Sequence, residues 1–400
     1  MQNEKLKIVN CSRITAVDSC QLSGRNRPAY RTGRLEPRCR KKYLTTSLLT
    51  VIFAGFFLFI ITGFGYAFNE THLDSSILPR GCGECHKSHG ARATVMLDLP
   101  KNEICLKCHG TIKRGTRGQA KTDILSSVIK SSNHPVLQTS QYHITGESFP
   151  EKSPSTQRHV SCYDCHNPHL STKDNPLSGV RGYSGRGVTI NSIKNEFQVC
   201  YKCHSDSANL PSNAGNIAQE FDTGNASYHP IESAGVNSTV PSLLGSLTTL
   251  SIIKCSDCHG NDDKAGPKGV HGSNYDHILK DNYSMQSGSE GPHAYELCYG
   301  CHSRGSIIED ESFKSHKKHV LYSNTSCYAC HDAHGSPYNE NLINFDISIV
   351  STNSTGQLNY MKLSPGKPRC FLNCHVDGVQ YDHKITGFEY CVNTNCIPGW

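Results

Sequence analysis

Seven times in 400 residues the chain repeats Cys-x-x-Cys-His, and this repetition constrains the fold more than any other feature. The sites are Cys82/Cys85/His86, Cys105/Cys108/His109, Cys162/Cys165/His166, Cys200/Cys203/His204, Cys255/Cys258/His259, Cys298/Cys301/His302 and Cys327/Cys330/His331. In all seven pairs of this spacing the next residue is His. Two thiols two residues apart can add across the two vinyl groups of a porphyrin, and the following imidazole then lies under the ring and binds its iron. Zinc ribbons also use C-x-x-C pairs, but a tetrahedral zinc site needs no fixed His after the second Cys. A disulfide framework is a third use of many thiols, yet close pairs repeated seven times staple a chain poorly. The motifs therefore predict covalent c-type haem, with His86, His109, His166, His204, His259, His302 and His331 as proximal ligands.

An eighth site, Cys370/Cys374/His375, has three residues between its thiols instead of two. The longer loop still allows both thioether bonds. The expected cofactor content is thus about eight haem c, seven from CxxCH and one from CxxxCH.

Residues 1–42 carry eleven Lys and Arg against three acids, a net of +8, whereas the whole chain is +6; residues 43–400 therefore net −2. The basic character belongs to this leader, and nucleic acid is not an expected partner. Residues 43–69 hold no charge, and 44–61 are dense in Leu, Ile, Val and Phe, close to the length of a bilayer-spanning helix. The basic cluster at 38–42 predicts a cytoplasmic N-terminus with everything after the segment exported. Two outcomes fit: cleavage after Ala67 at the small-x-small site with Gly65, or retention of 43–67 as a membrane anchor. Either way the expected location is the periplasm, the periplasmic face of the membrane or the cell exterior. There, Cys391 and Cys396 are expected to form a local disulfide.

The region 68–400 must house all eight haems, and mean hydropathy is −0.47, so side chains alone would bury little apolar surface. The expected fold is mostly irregular coil with short α-helices packed around a chain of stacked haems, with little or no β-sheet. Residues 205–225 and 234–251 read as loops. The motifs fall into four pairs, beginning at 82/105, 162/200, 255/298 and 327/370, which defines repeats at roughly 72–125, 126–215, 216–310 and 311–390. A second His follows three residues after the first motif at His89, His169 and His334, and His271 in Val-His-Gly-Ser echoes His334-Gly335-Ser336. His134, His159, His229 and His319 each precede a Pro or Val upstream of a later motif.

This pattern resembles the doubled-CXXCH family of multihaem c-type cytochromes, over roughly 72–383. The resemblance implies low-potential bis-His haems, a haem-packed fold with little regular structure, and a role in respiratory electron transport.

Fourteen His remain beyond the eight proximal ones, enough to give each iron a second imidazole. The expected distal set is His72, His89, His134, His159, His169, His229, His271, His319 and His334, with His143, His277, His293, His316 and His383 in reserve. A His three residues beyond the proximal one lies on the same side of its own porphyrin, so His89, His169 and His334 are expected to ligate neighbouring haems. The expected function is electron transfer, not catalysis, with other redox proteins as partners: cytochromes, quinol-linked membrane complexes or outer-membrane conduits. Two alternatives are a multihaem reductase of nitrite, hydroxylamine or sulfur-oxyanion type with one open iron, and a subunit of an extracellular cytochrome filament. No C-x-x-C-Lys motif marks an open iron.

Overall fold

The computed structural model describes residues 72–90, 96–110, 122–137, 148–152, 160–210, 214–362, 368–374, 389–392 and 395–398, all within the compact unit Tyr66–Trp400. The leader 1–42, the segment 43–67, His143, His159, His375 and His383 lie outside the described residues. No helix among the described residues is long and apolar enough to cross a membrane.

Regular structure is sparse, as expected: short helices, and strands in two-stranded antiparallel pairs. The first motif of each repeat forms a single turn, at Gly81–Glu84, Cys162–Cys165, Cys255–Cys258 and Cys327–Ala329. Polar caps define the last three of these turns. Asp164 accepts from the backbone N–H of Ser161, Asp257 from that of Lys254, and Ser326 Oγ from that of Ala329. The second motif is longer where propensity allows, at Lys101–His109 and Phe197–His204, and shrinks to Glu296–Tyr299 in the third repeat. Lys107 and His109, like Lys202 and His204, stand in the last turn, where cations suit the helix dipole. Each long helix also reaches forward to the next repeat. Asn102 Oδ1 accepts from the Cys162 N–H, and the Glu196 carboxylate accepts from the Ser256 N–H and hydroxyl.

Two elements differ from the sequence expectations. Within the expected loop 205–225, Ile217–Glu220 is a helical turn, because the Asn216 side chain accepts from the Gln219 N–H and caps it. In the fourth repeat Cys370 lies on a strand, Pro368–Phe371, opposite Tyr360 of Asn359–Lys362, not on a helix. Near the C-terminus the antiparallel register sets Cys396 directly across from Cys391.

Two small apolar clusters stand out among the described residues. One gathers Tyr183, Phe197, Tyr201, Ala218, Phe221 and Ile231, and the other Tyr295, Ile308 and Val320. For a chain of this length the core is thin, and two short strand ladders join successive repeats. Ser132–Asn133 pairs with Gly272–Ser273, and Ser227–Tyr228 pairs with Gly335–Ser336. These ladders depend on glycine. A Cβ on Gly272 would lie 2.0 Å from the Ser127 carbonyl oxygen, and one on Gly335 would lie 1.9 Å from that of Glu220. Buried serines finish each junction: Ser273 Oγ donates to Leu279 O, and Ser336 Oγ to Ile343 O.

Candidate haem sites

The cross-repeat ladders carry the histidines. His134 N–H donates to His271 O, and His229 N–H donates to His334 O, so one ladder presents two imidazoles in fixed register. Each then meets a motif histidine. His86 stands opposite His169 at 6.0 Å between ring centres, His109 opposite His72 at 6.1 Å, and His166 opposite His271 at 6.1 Å. His204 faces His134 at 6.2 Å, His259 faces His334 at 6.3 Å, His302 faces His229 at 6.4 Å, and His331 faces His316 at 6.2 Å.

Metal–imidazole bonds are about 2 Å long, and a ring nitrogen lies about 1 Å from its ring centre, so imidazoles on opposite sides of one metal have centres roughly 6 Å apart. All seven separations match that value. The residues therefore fit haem iron with two imidazole ligands at each described site.

Hydrogen bonding fixes which nitrogen is presented. Nδ1 of His72 donates to Pro168 O (3.0 Å), that of His134 to Val270 O (2.7 Å), and that of His229 to Ala333 O. Among the motif histidines, His166 donates to Pro176 O (2.9 Å), His259 to His277 O (2.7 Å) and His331 to Asn341 O (2.9 Å). A carbonyl oxygen only accepts, so Nδ1 carries the proton and Nε2 keeps the lone pair a metal requires. The carbonyls of His277 and Asn341 are aimed by left-handed backbone, at φ 57° and 59°. Burial lowers the pKa of His134, His229, His259 and His331, and brings it to about 4 for His204, His271 and His302 and about 3 for His316, which keeps these rings neutral. His334 goes the other way. Burial opposes its charge, but the Glu220 hydrogen bond with the Glu220 and Asp332 charges raises it.

The cysteines form a series that follows chain order. Within repeats, Cys85 interacts with Cys108, Cys165 with Cys203, Cys258 with Cys301, and Cys330 with Cys370 and Cys374. Between repeats, Cys105 hydrogen-bonds Cys162, Cys200 hydrogen-bonds Cys255, and Cys298 interacts with Cys327. Burial raises the thiols, Cys165 to about 11 and Cys327 and Cys330 to about 12, the reverse of thiols tuned as metal-binding thiolates. Among the described residues, the one group of three or more potential metal ligands within 4.8 Å of one another is Glu220, Asp332 and His334, which contains no cysteine. No zinc ribbon is present there.

Not every expected histidine faces a motif. His89 is exposed, and no motif histidine stands opposite it among the described residues. His319 lies against Phe313 at 6.0 Å and donates from Nδ1 to Ser315 O (2.7 Å); the ring that faces His331 is His316, from the reserve set. His316 precedes the His-Val signal by one helical turn, and the π-helical Lys317–Tyr322 segment lets both rings project from adjacent turns. His277 serves through its carbonyl, and His293 is exposed beside Glu296. Glu220, 114 residues from His334, left no signal in the sequence.

A family model described as the doubled CXXCH motif matches residues 77–114 and 154–209, and one described as outer membrane cytochrome MtrC/MtrF-like, domains II/IV, matches 188–342. The chain is 26% identical over 140 residues to the multiheme cytochrome MtrA of Shewanella baltica (strain OS185). That alignment spans 35% of this chain and 28% of the relative, so the chain matches little more than a quarter of the relative's length. No solved structure matches the chain.

Proposed function

The chain is a multihaem c-type cytochrome carrying doubled CXXCH motifs, and from that premise we propose that it conducts electrons along eight bis-imidazole haems arranged in chain order. The supporting observation is the set of seven facing histidine pairs at 6.0–6.4 Å. Under this reading His86/His169, His109/His72, His166/His271, His204/His134, His259/His334, His302/His229 and His331/His316 would each hold one haem iron between them. A haem held there would supply one-electron redox chemistry at its iron.

The repeat assigns the eighth ligand. His134 and His229 open their repeats and face the second motif of the same repeat, at His204 and His302. His319 occupies the corresponding position in the fourth repeat, whose second motif is Cys370/Cys374/His375. We assign His319 to that haem. Its Nδ1 already donates to a backbone carbonyl, as in the other opening histidines.

The protein parts have separable tasks. The motif cysteines would attach the porphyrins covalently, and the carbonyls at Nδ1 orient the imidazoles. Two imidazoles per site would leave no open position on the iron, which favours conduction over substrate binding. Export, a slightly acidic folded region and redox partners with basic faces complete the reading.

Intact mass and spin state test it together. The expected mass is polypeptide plus eight haems, with entirely low-spin spectra in both oxidation states and no binding of cyanide or nitrite. A high-spin haem that binds either ligand would replace this function with the reductase reading.

A further inference from the structure

One ligand pair differs chemically from the rest. His334 Nδ1 donates to Glu220 Oε2 at 2.8 Å, with Asp332 Oδ1 at 3.8 Å. The other paired histidines whose Nδ1 partner is described use carbonyls or, for His302 and His316, the hydroxyls of Ser242 and Ser312. The internal repeats supply their own controls. At the equivalent junction Gly272 packs on the Ser127 carbonyl as Gly335 packs on that of Glu220, but residue 127 is a serine. No carboxylate or hydroxyl reaches His271 Nδ1. Likewise Asn167 Oδ1 caps the His169 N–H where Asp332 Oδ1 caps the His334 N–H, an amide in place of a carboxylate. One frame is thus built repeatedly, and one copy carries two negative charges.

Glu220 is also held in place. It ends the Asn216-capped turn, its carbonyl accepts from Asn225 Nδ2 at 2.8 Å, and Gly335 admits the His334 strand against that carbonyl. The carboxylate approaches from repeat three and the imidazole from repeat four. The cluster therefore has a use other than as a cation site, since His334 Nε2 points to the His259 side while Nδ1 is engaged.

A carboxylate that accepts the Nδ1 proton of an axial imidazole pushes electron density onto the metal and stabilises the ferric over the ferrous state. We propose that Glu220, assisted by Asp332, is a potential-setting residue that holds the haem at Cys255/Cys258/His259 below its counterparts at His86 and His166. The reaction affected is the one-electron reduction of ferric to ferrous iron at that centre, with the electron supplied by a neighbouring haem. The fifth haem in the series is then an uphill step in the middle of the wire. This inference rests on the reading of His259 and His334 as one iron's ligands, and the two can fail separately.

The experiment uses the haem-loaded chain, with midpoints followed by spectroelectrochemical titration and spin states by EPR. His334→Ala tests the ligand reading: one haem turns high-spin, and an all-low-spin spectrum overturns both that reading and this inference. Glu220→Gln keeps shape and acceptor but removes the charge. The expected result is a fully low-spin protein in which one midpoint rises while the others hold, with Glu220→Asp retaining most of the wild-type value. Unchanged midpoints in Glu220→Gln at full haem content overturn the inference while leaving the ligand pair intact. If Glu220→Gln loses haem, Asp332→Asn carries the test: an upward shift smaller than a direct hydrogen bond would give supports it, and no shift overturns it.

Discussion

Replacing Gly272 with alanine should detach a ligand from a neighbouring iron without altering any haem-binding residue. The added Cβ would sit 2.0 Å from the Ser127 carbonyl oxygen, 2.9 Å from its carbon and 3.2 Å from the Asn133 Cβ. A carbon in contact lies about 3.5 Å from its neighbour, so the backbone must move by about 1.5 Å. Both obstructing groups belong to the second repeat, and Asn133 is locked to Gly272 by the ladder, so little can yield on that side. The displacement passes to His271, the adjacent residue, whose ring centre stands 6.1 Å from that of His166. Metal–ligand distances tolerate only about 0.2 Å, several times less than the required shift. We therefore expect one high-spin haem in EPR and near-infrared absorbance, and overpacking that costs about 1–3 kcal/mol in denaturant titrations. Gly288→Ala is the control, because its Cβ would meet nothing within 4 Å. A Gly272→Ala protein that stays wholly low-spin with wild-type stability would refute the argument that glycine sets the ligand position.

Other outcomes follow from the same geometry. His316→Ala should give one high-spin haem, read by EPR, while His89→Ala should leave all haems low-spin; the reverse result would reject the assigned pairs. Ferric EPR should show two classes of low-spin signal. His86/His169, His166/His271 and His259/His334 lie at 13°, 19° and 20° between ring planes, whereas His109/His72, His204/His134 and His302/His229 lie at 72°, 65° and 52°. Near-parallel imidazole planes split the iron d orbitals of π symmetry and steep angles make them nearly equal, so the second class should be the more anisotropic; a single uniform class would count against the pairing. Stability should also fall as pH drops from about 6.5 towards about 4. His271 and His302 are held neutral in the folded chain by burial, whereas free imidazoles in the unfolded chain take up protons below about 6.5, so the unfolded state binds more protons as the pH falls. Guanidinium midpoints measured against pH check this, and a rise in stability on acidification over that range would contradict it.

Much of the site is legible in the sequence because covalent haem attachment is a local requirement. Two thiols and an imidazole must share one turn, so spacing alone marks Cys82 to Cys374. The second imidazole carries no such local constraint. His169, His271 and His334 each face a histidine of the preceding repeat, at a different sequence separation each time, and no short-range pattern encodes those separations. His271 is nonetheless readable through its Gly-Ser sequel, because close backbone approach at Gly272 and serine capping at Ser273 are local needs. His316 is misplaced in the sequence for the opposite reason. The His-Val signal at His319 marks a repeat opening, whereas His316 faces His331 by virtue of one extra helical turn. The helix at Ile217–Glu220 escapes a sequence reading because four residues are too few to show a period, and a single Asn216 cap decides it. Glu220 itself can be found only in three dimensions.

The cross-repeat pairing has a consequence in time. A polypeptide leaving a translocation pore emerges from its N-terminal side, so the haem at His86 can be attached long before residue 169 appears. Under the proposed pairing its iron would until then have one protein ligand, as would the haem at His166 until residue 271 follows. Each repeat would thus finish its predecessor, and maturation would run as a series of brief, reactive, half-dressed intermediates. A stall anywhere along the chain would leave one such iron exposed to whatever small molecules surround it.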